Sequence, residues 1–169
     1  DNRGAANAVT SRLMATGRRR VGMIAAALDR VPGTDRLAGF TDALGPDFDP
    51  DLVEEAPLYS YAEGAAAMTR LLARAPDIDG VFGASDAVAA GAMLALRQAG
   101  RRVPEDVGVV GFDNSSWATR TTPPLSTVDQ PAEGLGAAAA AAVLAQLRDD
   151  QRPRAGIILP TPVVWRDSA

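Results

Sequence analysis

The segment Val107-Gly108-Val109-Val110-Gly111-Phe112 is an unbroken run of apolar and glycine residues. A run of this length and composition is typical of a β-strand that is buried on both faces. The segments Arg20–Ala27 (RVGMIAAA) and Asp79–Ala84 (DGVFGA) have the same character, and a helix pattern ended by Gly100 follows the second of them. Buried strands that alternate with helices predict an α/β fold with a parallel sheet.

Weaker patterns complete this alternation along the chain. Further helices are predicted over 2–16, 35–44, 63–75, 86–99 and 133–148, and further strands over 51–57, 125–128 and 157–164. In parallel sheets of this kind, ligands bind beyond the carboxyl ends of the strands. We therefore expect the residues just after Ala27, Ala84 and Phe112 to form any binding site.

The composition excludes several classes of chemistry. The 169 residues include no His and no Cys, which removes disulfides, thiolate nucleophiles, Ser-His-Asp triads and nearly all zinc-site patterns. No apolar run approaches the roughly 18 residues that a membrane span needs. The net charge is −4, and the basic run Arg18–Arg20 is interpreted as a solvated helix end rather than a nucleic-acid contact. We expect no signal peptide, no cofactor, no metal and no direct DNA binding by this segment.

Several stretches, taken in order, resemble the LacI/GalR family of transcription regulators. They are 1–6 (DNRGAA), Gly17 with 19–22 (RRVG), 36–40 (RLAGF), Asp86 with 89–92 (AAGA), 103–107 (VPEDV), 111–114 (GFDN), 123–128 (PPLSTV) with Gln130-Pro131, 159–161 (LPT) and 166–169 (RDSA). No single stretch is specific. Their order and spacing over the whole chain carry the resemblance.

The resemblance implies a periplasmic-binding-protein-like fold of type I, in which two Rossmann-like subdomains are joined by three crossovers and hold the ligand between them. It implies that 29–128 is a complete second subdomain, that 1–28 and 129–160 belong to a partial first subdomain, and that 161–169 returns to the second. Strands 80–84 and 107–112 would then share one parallel sheet, and 21–26 would lie in a different one. Exposed apolar surface is expected on 1–28 and 131–158, which would favour association, a swapped arrangement or disorder.

Three residues are the main candidates for ligand contact. Asp113 follows a strand end, and a carboxylate there can accept hydrogen bonds from two sugar hydroxyls. The family resemblance implies that it is the main ligand acceptor. The alternative is a turn residue that caps Ser115 or Ser116. Arg36 opens the predicted second helix and matches the ligand-contacting Arg of the family. Tyr59 matches the position whose ring packs on a sugar or base, although simple hydrophobic packing is an equal alternative.

Four further residues carry weaker expectations. Arg30 matches a ligand Arg of purine-responsive members, or is an isolated surface cation. Ser85 stands where relatives often carry a ligand-binding Asn, and Asp86 is expected mainly to cap the following helix, although either can cap and either can contact ligand. Trp117 is placed in a loop, where it either contacts a second copy of the chain or covers the core.

These observations favour the effector-sensing part of a sugar-responsive repressor, which is cytoplasmic and homodimeric by resemblance. Its effector would be a sugar, a sugar phosphate or a nucleobase, and it would reach DNA only through a helix-turn-helix headpiece outside these residues. The alternative is a periplasmic sugar-binding protein of an ABC transporter, which shares the architecture. An enzyme is poorly supported, because the chain carries no nucleophile elbow, phosphate loop or His base.

Overall fold

A four-stranded parallel sheet forms the centre of the computed structural model, which describes residues 1–148 and 156–169. The strands are β1 (Val21–Ala26), β2 (Val53–Ala56), β3 (Gly80–Gly83) and β4 (Gly108–Val110), in the spatial order β2-β1-β3-β4. All six residues of β1 are buried, as expected for a strand with neighbours on both sides and helices on both faces. The predicted α/β fold with a parallel sheet is confirmed.

The described residues form six α-helices. They are α1 (Asn2–Ala15), α2 (Val31–Leu44), α3 (Tyr61–Arg74), α4 (Asp86–Gln98), α5 (Ser116–Arg120) and α6 (Ala132–Arg148). α1 packs against α2, and α3 packs against α4. Because crossovers between parallel strands are right-handed, the reversal of direction after β2 puts α3 and α4 on the face opposite α2. The sheet therefore lies between two helix pairs.

The last part of the sheet unit comes from the end of the chain. β5 (Thr127–Val128) pairs antiparallel with β6 (Val163–Val164), and residues 126–129 run beside β4 through bridges to Val110 and Asp113. The buried Ser168 side chain donates to the Val109 carbonyl at 2.6 Å and accepts from the Ser126 amide at 2.8 Å. The carboxyl-terminal residues thus close the free edge next to β4.

Helix α6 contrasts with the other long helices because none of its residues is buried. Its exposed apolar side chains include Leu135, Val143, Leu144 and Leu147. The expected apolar exposure of 131–158 is therefore found on the described part of that segment, and 149–155 lie outside the described residues. No helix in the described ranges is both long and apolar enough to span a membrane.

The expectation that 21–26 lies in a separate sheet is wrong. β1 is hydrogen-bonded to β2 on one side and to β3 on the other, so a boundary at residue 28 would cut through a continuous sheet. Helix α1 also belongs to this unit, because Ala5, Val9 and Leu13 are buried there and do not form an exposed patch. Residues 1–28 are thus built into the sheet unit.

Two local predictions also differ from the structure. Helix α2 begins at Val31, four residues before the predicted start, because Pro32 lies in its first turn, where proline is favourable. Trp117 lies in the short helix α5, not in a loop; five residues are too few for a periodic pattern to reveal.

Candidate functional site

Side chains from different parts of the sequence meet beyond the carboxyl ends of β1, β3 and β4. Arg36 comes from α2, Tyr59 from the loop after β2, and Asp113 from the turn after β4. The Arg36 Nη1 and Asp113 Oδ1 atoms are 3.5 Å apart, and the Arg36 guanidinium carbon lies 5.8 Å from the Tyr59 ring centroid. The structure thus brings the three main candidates together.

Arg36 lies beneath the site, with only 5% of its surface exposed. Its guanidinium lies flat over the buried Phe112 ring, 3.7 Å from the ring centroid. Nε donates to Asn2 Oδ1 at 2.9 Å, Nη1 to the Ala84 carbonyl at 2.6 Å, and Nη2 to Gln130 Oε1 at 3.0 Å. Burial lowers the pKa of Arg36, while Asp113 raises it. These acceptors satisfy a charge that would otherwise be costly to bury.

The sequence pattern placed Arg36 at the start of a helix, and this prediction is wrong. Arg36 is the sixth residue of α2, on the face that meets the sheet edge. Its placement follows from the helix period, since Gly33, Arg36 and Phe40 are all buried on one face of α2.

The backbone at Asp113 is strained. Asp113 has φ 108° and Asn114 has φ 52°, a region that L-residues rarely occupy, and Ala27 beyond β1 has φ 50°. Such strain persists only where the surroundings hold it, and it is common at ligand-binding positions. Here the Asn114 side chain donates to Asp129 at 3.0 Å and accepts from Arg166 at 2.7 Å. The turn is therefore braced by β5 and the end of the chain.

Asp113 is an acceptor directed at the open edge of the site. Its side chain is one-third exposed, whereas that of its partner Arg36 is buried. Burial raises the pKa of Asp113 to about 6, and Asp86 adds to this rise, while Arg36 opposes it. Asp113 does not cap α5, because Ser115 accepts from the Trp117 amide and caps that helix itself. The Ser115 amide donates to Asp86, so Asp113 does not cap it.

The expectation that Asp86 is the main cap of α4 is wrong, because Ser85 takes that role. Ser85 is the N-cap of α4, with its hydroxyl accepting from the Val88 amide. Asp86, expected to be the cap, is fully buried and accepts from the Thr127 hydroxyl at 2.5 Å and the Ser115 amide at 2.6 Å. Burial raises the pKa of Asp86, and these hydrogen bonds lower it. Asp86 thus ties the Asp113 turn to α4 and β5 from behind the exposed edge.

The other predicted residues lie farther out. Arg30 is exposed, and its nearest acid, Asp29, is 3.9 Å away. Tyr59 is 37% exposed, so its ring is available to a ligand beside Arg36. Trp117 stacks on Tyr61 with ring centroids 5.1 Å apart, and both rings line a cavity of about 240 Å³ between α3, α4 and α5. Trp117 is therefore part of a separate surface.

Sequence reasoning missed the residues that hold the site together. Asn2, Gln130 and Phe112 surround the Arg36 guanidinium, and Asp129 and Arg166 hold Asn114. Asn2, Gln130 and Arg166 stand in stretches that carry the family resemblance, but nothing local in those stretches indicates a contact with Arg36 or Asn114. Within the described residues, no group of three or more acidic, His or Cys side chains could hold a metal ion.

The arrangement is suited to a polyhydroxylated ligand. The carboxylate oxygens of Asp113 can accept hydrogen bonds from two hydroxyl groups. In the Arg36–Asp113 pair, the Arg36 guanidinium is the donor, and the Tyr59 ring offers an apolar face. A parallel α/β unit with such a polar edge is a common form of ligand-binding domain.

Comparison with known proteins agrees with this class. The family of periplasmic binding protein-like domains matches residues 10–169. The regulator CelR of Thermobifida fusca is 41% identical over 99% of this chain and 50% of its own length. The ribose operon repressor of Halalkalibacterium halodurans is 32% identical over 99% of this chain and 50% of its own length. A solved transcriptional regulator CelR–cellobiose complex superposes with a TM-score of 0.96 at 40% identity, over all of this chain and 52% of that one.

The chain belongs to the periplasmic binding protein-like domain family, in the form of the effector-binding region of LacI-type regulators. It spans about half the length of the relatives that it matches. These relatives are transcription regulators and not transport proteins, so the alternative of an ABC-transporter binding protein is set aside.

Proposed function

We propose that this chain senses a small sugar on behalf of a cytoplasmic transcription repressor, without chemical turnover. The observation that carries the proposal is the buried Arg36 cation, held against the partly exposed Asp113 at the carboxyl edge of a parallel sheet. The similarity to a regulator solved with cellobiose supports a sugar of that kind as the effector.

In the proposed mechanism, the sugar binds at this edge in the complete protein, between this sheet unit and a second subdomain. Asp113 accepts two hydroxyls, Arg36 donates to a neighbouring oxygen, and Tyr59 packs on the C–H face of the ring. The sugar favours one relative arrangement of the subdomains, which changes the DNA affinity of a helix-turn-helix part outside these residues. A ligand can shift that equilibrium only by its difference in affinity for the two arrangements.

We also propose that the regulator acts as a homodimer and that the surface around Trp117 belongs to the contact. The ring is 39% exposed, and the cavity beside it is lined by Met93, Leu94 and Tyr61. Exposed aromatic side chains beside a groove are typical of interface cores.

Calorimetric titration of the complete protein tests the effector proposal, with cellobiose, maltose, ribose and purine bases as the panel. We expect a sugar to bind and Asp113→Ala to lose about 2–4 kcal/mol of binding free energy, because a charged acceptor in a partly desolvated site is removed. The control is Asp47→Ala, at an exposed acid in the turn after α2, which should bind as the unaltered protein does.

Operator binding without sugar should be unchanged in Asp113→Ala, so the variant would repress but not respond. Equal sugar affinity in Asp113→Ala and the unaltered protein would contradict the site. Turnover of any panel sugar would contradict a purely sensing role.

A further inference from the structure

The Arg36 guanidinium joins the binding edge to segments that are distant in the sequence. Asn2 begins α1, and Gln130 lies between β5 and α6. Nε donates to the Asn2 side chain at 2.9 Å and Nη2 donates to the Gln130 side chain at 3.0 Å. Nε and Nη2, the two nitrogens that do not donate to Ala84, thus each have a side-chain acceptor.

Gln130 contacts both members of the charged pair. Its side-chain oxygen accepts from Arg36, and its backbone amide donates to the Asp113 carbonyl at 3.4 Å. A displacement of residue 130 would therefore alter the position of the donor and of the acceptor that the proposed sugar contacts.

Three passages of the chain converge next to Arg36. A cavity of about 130 Å³ is lined by residues 1–2, 130–131, 135, 157–159 and 161, and the Thr161 hydroxyl donates to the Asp1 carbonyl at 3.3 Å. Beyond this cavity the chain enters α6, none of whose residues is buried in the sheet unit. Two of these passages, at Asn2 and Gln130, are thus hydrogen-bonded to the buried Arg36, and the third is linked to the first through Thr161 and Asp1.

We infer that Asn2 and Gln130 are positioning residues, which hold the Arg36 guanidinium in its ligand-binding orientation and link occupancy of the site to these three passages. The inference rests on the proposed function, because it assigns the regulation of the same site. Its physical basis is that a buried guanidinium must keep all its acceptors, so that movement of Arg36 and movement of the passages are coupled.

The link between these side chains and Arg36 can be measured without any ligand. The probe is solvent exchange of the Arg36 Nε–H in the complete ¹⁵N-labelled protein, with the signal assigned by its loss in Arg36→Lys. Asn2→Leu removes the acceptor and should speed exchange about tenfold, whereas Asn2→Asp keeps an acceptor oxygen and should not. Gln130→Met should speed exchange about threefold and Gln130→Glu should not. Gln98→Ala, at an exposed position in α4, is the matched control.

Cellobiose affinity is the second readout. Asn2→Leu and Gln130→Met should each weaken binding about tenfold, and neither should matter once Arg36 is already replaced by Ala, because both act through that side chain. Asn2→Asp and Gln130→Glu should stay within about threefold of the unaltered protein.

Equal exchange rates and equal affinities in Asn2→Leu and Asn2→Asp, and likewise at Gln130, would overturn the inference. If the unaltered protein does not bind cellobiose while exchange still follows the acceptor, cellobiose fails as the proposed effector and the positioning role stands. Losses of affinity that persist in the Arg36→Ala background would show that Asn2 and Gln130 act otherwise, which also overturns it.

Discussion

Arg36 and Asp113 are oppositely charged neighbours with different degrees of burial. Arg36 is buried and has other acceptors on all three nitrogens, whereas Asp113 is partly exposed and has Arg36 as its cation. Burial raises the pKa of Asp113 to about 6, Asp86 adds to this rise, and Arg36 opposes it. Asp113 is therefore the residue of the site whose protonation state we expect to change with pH.

Sugar affinity should consequently depend on pH. The carboxylate form of Asp113 accepts hydroxyls, and the protonated form offers fewer acceptor sites and no charge. We expect affinity to be constant above about pH 7 and to fall as pH falls through 6, by about tenfold for each further unit. Calorimetry from pH 5 to 8 measures this, and Asp113→Asn should give a flat, weaker profile. An unchanged affinity between pH 5 and 8 would contradict the prediction.

The same raised pKa predicts the opposite trend for stability. Between pH 4 and 6 the folded state binds more protons at Asp113 than the unfolded chain, whose Asp has a pKa of about 3.9. The contribution of Asp113 is thus greatest below about pH 4 and is lost as pH rises through 6. Relative to Asp113→Asn, the free energy of unfolding should fall by about 1–2 kcal/mol over this range, allowing for solvent screening of the exposed third. Urea titrations of both proteins test the sign, and a parallel pair of curves would refute it.

Ser85 should matter for stability and not for sugar binding. Its hydroxyl is buried and caps α4, so Ser85→Ala should lower the free energy of unfolding by about 1 kcal/mol. Ser85→Gly is the control, because glycine at an N-cap costs only a few tenths of that. Both variants should bind sugar equally. If both lose affinity to the same extent, the hydroxyl contacts the ligand, as the family pattern suggested.

At the scale of elements, α3 and α4 pack closely against each other. A Cβ at Gly91 would lie 2.1 Å from the Tyr61 carbonyl oxygen, and one at Gly64 would lie 2.2 Å from the Val88 carbonyl oxygen. Both neighbours are backbone atoms, so neither site can relax by rotating a side chain. The two glycines set the distance between the helices, and with it the position of α4 under the site.

Replacing either glycine should therefore separate the helices. Gly64→Ala and Gly91→Ala should each lower the free energy of unfolding by about 1–3 kcal/mol, despite the better helix propensity of alanine. Gly136→Ala in α6 is the matched control, since a Cβ there meets no atom within 4 Å and should cause no loss. Urea denaturation measures all three, and equal midpoints for Gly91→Ala and Gly136→Ala would contradict the packing.

At the scale of the whole molecule, two exposed apolar surfaces among the described residues bear on assembly. One is α6, with Leu144 and Leu147 exposed; the other is the surface at Trp117, on the sheet face that carries α3 and α4. They differ in origin, because α6 buries nothing in the sheet unit, whereas Trp117 projects from a short helix that packs against α4.

The proposed dimer contact gives a direct test. Trp117→Asp should weaken self-association of the complete protein at least tenfold, because a desolvated aromatic is replaced by a charge. Val31→Asp is the control, as Val31 is exposed at the start of α2, on the opposite face of the sheet. Sedimentation velocity over a dilution series measures the dimer constant. If both variants dissociate at the same concentration as the unaltered protein, the contact lies elsewhere.

The class of fold and the expected binding edge of the sheet both follow from the amino-acid sequence. The local composition of segments such as 21–26 and 107–112 predicts that they are buried. Their alternation with helices specifies a parallel sheet, and Asp113 follows the carboxyl end of one of its strands. The family resemblance added Arg36 and Tyr59, which the structure places beside it. The inference of the fold class succeeded because it depends on periodicity along a few residues.

The order of the strands and the surroundings of Arg36 depend on tertiary contacts, which no local sequence pattern specifies. A fully apolar strand such as β1 fits the centre of any parallel sheet, so its composition cannot say that β2 and β3 are its neighbours. Ser85 and Asp86 are both good caps, and only the Thr127 and Ser115 groups brought in from elsewhere decide which one is used. Asn2, Arg36 and Gln130 meet across separations of 34 and 94 residues, a contact that depends on closure of the whole chain and on no local pattern.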